Sequence, residues 1–168
     1  VSTVREFITF SNQYKSVTFV STIQNQDLLS DTDYDMLIIY NNPLFIPYAQ
    51  QIADVHKTYD NMRTRIVSQQ DIFTEFSAGR IDVSALRNYI RWVYTKNNGT
   101  LQYVLLFGDG TYNNNLCSNN SSYIATFQSL ESLYSHSSFV SDDFFGMLQK
   151  GEGVTPEDTF VGELDIAI

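Results

Sequence analysis

Tyr103-Val104-Leu105-Leu106-Phe107 sets five apolar side chains in a row and is stopped at once by Gly108-Asp109-Gly110. An unbroken run of this length suits a strand buried on both faces, the place of a central strand in an α/β sheet. The glycines permit a sharp turn and leave Asp109 at the strand's carboxyl end, where open α/β sheets gather their ligands. Asp109 is therefore the first candidate site residue. Its plainer role is to cap its own turn by accepting from nearby main-chain N–H groups.

The segments upstream supply the rest of such a sheet. Met36-Leu37-Ile38-Ile39-Tyr40 reads as a strand ended by Asn41-Asn42-Pro43. Phe45, Tyr48, Ala49, Ile52, Val55 and Tyr59 then recur at three- and four-residue steps, which predicts a helix over about 45–60 with one apolar stripe. Pro47 is tolerated only in its first turn, and Asn61 suits the left-handed residue after its end. Thr64–Ser68 reads as a strand and Gln69–Phe76 as a short helical turn. Asp82 is a good N-cap for a helix running to about Lys96, with Leu86, Tyr89, Ile90 and Val93 on its buried side. The order β-α-β-α-β predicts an α/β fold: an open, mainly parallel, doubly wound sheet with flanking helices and right-handed crossovers.

Both ends of the chain read differently. Val4–Phe10 and Val17–Val20 suggest two short strands leading in. After Gly110 the segment Asn113–Ser122 has no periodicity, Tyr123–Phe127 reads as a short strand, and Lys150-Gly151-Glu152-Gly153 as the turn of a hairpin. Leu164–Ile168 reads as a strand with no turn signal after it, so the natural protein is expected to continue.

A chain of 168 residues is long enough for one domain with a real core. Charged residues are 17%, below the roughly 25% usual in globular proteins, while Tyr and Phe number 11 and 12. That balance points to an extracytoplasmic setting: periplasm, outer-membrane surface or secreted. The formal net charge of −9 argues against nucleic acid and anionic membrane as partners, because nothing neutralises phosphates. No apolar run approaches the roughly 20 residues of a transmembrane segment. Cys117 is the single cysteine, which excludes an internal disulfide or a zinc framework.

Several chemistries can be tested against the residues. A catalytic thiol needs an imidazole beside it. Cys117 lies in a polar loop, His56 in the middle of a helix and His136 in a Ser-rich loop, so no catalytic residue is assigned. A dinucleotide site would need a third glycine after Gly108 and Gly110, and a helix directly behind it. Calcium takes carboxylates and carbonyls from flexible loops, and Asp109, Asp142 and Asp143 could converge at the sheet edge as its ligands. The alternative is that Asp142 and Asp143 cap a turn before Phe144-Phe145.

The ordered set of segments resembles the gingipain-type (C25) cysteine peptidase domain, in particular its sortase-like branch in the type IX secretion system. The resemblance runs from Asn25-Gln26-Asp27-Leu28 and Asp33–Ile39 through Asp71–Arg80 and Ala85–Ile90. It continues through Tyr103–Gly110 and Ser141-Asp142-Asp143-Phe144-Phe145-Gly146 to Asp165–Ile168. It implies a caspase-like α/β domain of two subdomains, with residues 31–168 as the first and residues 1–30 leading into it. The family's catalytic Gly-His-Gly and cysteine motifs belong to the second subdomain and are absent here. The implied partners are that catalytic subdomain, a peptide or protein substrate and other secretion-system components. Calcium is an implied cofactor. The alternative is a secreted α/β binding or scaffold module without peptidase activity, or a flavodoxin-like domain holding a small ligand near Asp109.

Overall fold

The computed structural model describes residues 16, 18–19, 22, 26–30, 32–118, 120–129, 138–154 and 160–168. Strand β1 (Met36–Tyr40), helix α1 (Ile46–Tyr59), strand β2 (Thr64–Ser68), helices α2 (Gln69–Phe76) and α3 (Val83–Lys96) and strand β3 (Tyr103–Phe107) follow in that order. The three strands form one parallel sheet in the order β2-β1-β3. The expected α/β architecture is therefore present, with α1 on one face and α2 and α3 on the other. A two-residue antiparallel pair, β4 (Gly153–Val154) and β5 (Phe160–Val161), lies apart from it. No helix among the described residues is long and apolar enough to cross a membrane.

Local chemistry explains the boundaries. Asn42 accepts from the Leu44 N–H at the head of a short 3-10 turn, Pro43–Phe45, that feeds α1. The helix ends where Asn61 turns left-handed at φ 55° and the N–H groups of Asp60 and Met62 both return to the His56 carbonyl. β2 runs into α2 with no loop, because Ser68 is both the last strand residue and the helix cap, accepting from the Gln70 N–H. Asp82 caps α3 through the Ser84 N–H as its sequence position predicts.

The core is uneven. Between α2, α3 and the sheet lies the larger cluster, including Leu37, Ile39, Val67, Phe73, Leu86, Tyr89, Ile90, Val104 and Phe145. The α1 side holds only Met36, Ile38, Ala49 and Ala53 as buried residues, with Ile52, Ile66, Leu105 and Phe107 packed against them.

Four expectations need correction. The central strand is β1, whose Leu37, Ile38 and Ile39 are fully buried; β3 stands beside it with Leu105, Leu106 and Phe107 only half covered. An apolar run requires burial on both faces only when the neighbours that supply it are present. The apolar stripe of α1 is likewise only part buried, because Tyr48, Val55 and Tyr59 face out. Tyr123–Phe127 is not a strand, since Tyr123 makes a single parallel bridge to Asp109 and Ala125 and Thr126 bond to side chains. Leu164–Ile168 is not a full strand either: it meets the sheet at one point, Ala167 beside Tyr103. The strand expected at Val4–Phe10 lies outside the described residues, as do Val17 and Val20; Thr18 and Phe19 between them carry no strand.

Candidate functional site

The carboxyl edge of the sheet is built from the turns after β1 and β3, and between them lies the point where the strand order reverses. In open α/β sheets this crevice is where a ligand sits. Here Ser118 and residues 120–125 of the chain itself fill it. Asn41, buried at the end of β1, points its amide nitrogen at the Ser118 carbonyl (2.9 Å), the Ser121 hydroxyl (2.8 Å) and the Tyr123 carbonyl (3.1 Å). Asp109 donates its N–H to the Ser122 carbonyl and accepts from the Ile124 N–H, both at 2.9 Å. A Cβ at Gly108 would come within 2.5 Å of the Ser122 carbonyl oxygen, so the close approach that glycine suggests is to this segment and not to a ligand.

Side-chain amides complete the segment's hydrogen bonds. Gln69, fully buried at the start of α2, donates to the Tyr123 carbonyl (3.0 Å) and accepts from the Ala125 N–H (3.1 Å). Asn114 does the same to Thr126, donating to its carbonyl and accepting from its N–H, each at 3.0 Å. Thr126 Oγ1 then accepts from the Thr111 N–H, and Gln128 donates to the carbonyls of Thr111 and Tyr112. Buried main chain must find partners, and primary amides replace a neighbouring strand here. The resulting edge presents Asp109 and Tyr112 outward. The arrangement leaves no room for the flavodoxin-like reading at the switch point.

The three candidate calcium ligands take separate places. Asp109 projects from the β3 turn, and its carboxylate accepts no hydrogen bond from a described residue, so it is not the turn cap its position suggests. Asp142 and Asp143 open the 3-10 turn Asp143–Phe145, and neither caps it with its side chain; the Ser141 hydroxyl takes that place by accepting from the Asp143 N–H. Burial, and then the neighbouring Asp143 carboxylate, push the Asp142 carboxyl above its ordinary value. Among the described residues no group of three or more His, Cys, Asp or Glu could hold a metal ion, so the trio does not form one ligand cage.

What fixes the acidic pair in place is a residue that no local motif marks. Arg87 of α3 lies over the Phe144 ring at 4.9 Å and donates to the carbonyls of Met147 and Glu152. Phe144 in turn stacks on Phe127 at 4.4 Å. A half-buried arginine on a helix gives no sequence signal of this kind, because its partners are main-chain carbonyls sixty or more residues away.

Among the described residues no cysteine–histidine pair forms. Cys117 is fully buried with Asn114 as its polar neighbour, and burial pushes its thiol above the usual value. His56 pairs with Asp60 one helical turn on, Nδ1 to Oδ2 at 2.7 Å. His136 lies outside the described residues. The open clefts are at the other end of the sheet; one of about 350 Å³ is lined by Gln50, Asp54, Lys57 and Arg63 among others.

Comparison with known proteins agrees with this geometry. The sequence model described as peptidase family C25 matches residues 29–168. Among solved structures, the fold is similar to the crystal structure of dimeric latent PorU from Porphyromonas gingivalis, with a TM-score of 0.64 and 27% identity. The match covers 76% of this chain and only 13% of that one. No curated protein matches in sequence.

Proposed function

The chain belongs to peptidase family C25, and from that footing we propose that residues 31–168 are the first, non-catalytic subdomain of a secreted gingipain-like cysteine peptidase, led into by residues 1–30. The observation that carries this reading is the state of β3. Its Leu105, Leu106 and Phe107 are half covered, and among the described residues its outer edge meets Ala167, which accepts from the Val104 N–H and donates to the Gln102 carbonyl, each at 2.9 Å. By the two-residue alternation of a strand, the Leu106 N–H points the same way, beyond that contact. Such an edge supports a second subdomain continuing the sheet.

In this reading the thiolate of the catalytic half attacks the peptide carbonyl, the imidazolium protonates the departing amine, and the thioester's acyl group passes to water or, in the manner of a sortase, to an acceptor amine. The present residues hold that half in place and shape one wall of the substrate cleft through the turns at Asp109 and Tyr112. The intact protein acts outside the cytoplasm, on a peptide or protein substrate and with other components of the type IX secretion system. Calcium is proposed at Asp142 and Asp143 alone, where a cation would relieve two adjacent carboxylates; Asp109 is left out.

The test is activity of the intact protein carrying Cys117→Ser and His56→Ala together. Peptidase activity inhibited by thiol alkylation and retained in the double variant supports the reading. Activity lost with these two changes while the fold persists by circular dichroism overturns it.

A further inference from the structure

The apolar stripe of α1 and its buried line do not coincide. Ala49 and Ala53 face the sheet, while Tyr48, Val55 and Tyr59 are 59%, 51% and 81% exposed. With 3.6 residues per turn, the stripe is centred about 90° round the helix from the buried line. Its neighbours fix the direction. Gln50, Asp54 and Lys57 line a cleft with Thr64 of β2. On the other flank Phe45 meets Phe107 with ring centroids 5.4 Å apart, and His56 and Asp60 line a cleft with Met36 and Tyr103. So α1 has a polar flank over β2 and an apolar flank over β3. Beneath the apolar flank Tyr103 is 40% exposed, and Leu105 and Phe107 are half-buried.

Dimensions identify what fits there. A helix is about 10 Å wide and strands lie about 4.8 Å apart, so one helix covers two strands. Among the described residues, α1 covers β1 and β2 and leaves β3 only half covered. A second helix beside it would cover β3 together with one further strand, and Ala167 already occupies the first position of that strand. The step from β2 to β3 puts α2 and α3 on the opposite face. A right-handed step onward in the same direction puts its helix there too, so the element over β3 on the α1 side must come from elsewhere.

We propose that this trough seats an amphipathic helix from the catalytic half of the same polypeptide, packed against Tyr48, Ile52 and Val55 of α1 and over Tyr103, Leu105 and Phe107 of β3. This rests on the two-subdomain reading above and adds the contact surface.

Side-chain footprinting of the intact protein, read together with hydrogen exchange, tests it. Tyr48, Val55 and Tyr103 should label several-fold less than Tyr112, which is 72% exposed here, and the protection should persist on dilution to a monomer. Protection that disappears on dilution assigns the trough to a second copy and overturns the proposal. Labelling of Tyr48 and Tyr103 as full as that of Tyr112, with the Leu106 amide protected from exchange, overturns the helix and leaves the two-subdomain reading standing. Free exchange at Leu106 removes both.

Discussion

Arg63 closes on Asp35 through three donors: its main-chain N–H (2.8 Å) and Nε (3.0 Å) share Oδ2, and Nη2 takes Oδ1 (2.9 Å). The same guanidinium also pairs with Asp33. This clamp ties the residue before β1 to the residue before β2 at the amino end of the sheet. The Arg63 side chain holds the Asp35 carboxyl below its ordinary value, against an opposing effect of desolvation. A carboxyl depressed in the folded state adds stability above the unfolded pKa of about 3.9, and that stability is lost as pH falls through the lower folded value. Urea midpoints measured down through that window should therefore fall for the native chain and fall less for Asp35→Asn. Equal slopes for the two would remove the clamp from the account.

Gln69→Met keeps the volume of a buried side chain and removes both of its hydrogen bonds. The Ala125 N–H then has no partner, while the Tyr123 carbonyl keeps Asn41. An orphaned buried donor costs about 1–3 kcal/mol, so the urea midpoint should drop with an unchanged slope. A variant as stable as the parent would mean that the amide contributes nothing to the edge.

Cys117 should behave as a core residue. Excluded from water and with its thiol raised by burial, it should resist thiol reagents at neutral pH in the native state and react at the rate of unfolding. Mass spectrometry against urea concentration checks this. Rapid labelling without denaturant would reopen a chemical role for it.

Calcium should raise the melting temperature where magnesium does not, and Asp142→Asn with Asp143→Asn should abolish the rise. Because the Asp142 carboxyl is raised by burial and by Asp143, protons compete for it, and the calcium effect should shrink as pH falls through that raised value. No shift with millimolar calcium would remove the ion from this loop.

The elements with local signals were legible from the residues alone. Met36–Tyr40, the caps Asp82 and Asn61 and the periodic helices all depend on neighbours within a turn or two. The place of β3 was not legible, because a central strand and an edge strand awaiting its neighbour carry the same apolar run. Nor was the placing of Ser118, Ser121, Tyr123 and Ala125, which comes from Asn41 and Gln69 across 54 to 82 residues. Asp109 was rightly placed at the carboxyl edge, but sequence could not show that this edge is filled from within.

Those long separations also bear on the order of folding. Contacts between distant residues carry a larger loop-closure entropy and form after local ones. The amides of Asn41 and Gln69 cannot grip Ser118, Ser121, Tyr123 and Ala125 until β1 and α2 are in place. The carboxyl edge is therefore set late during folding, and the amides of Ile124 and Ala125 should open before those of β1 when the native protein fluctuates.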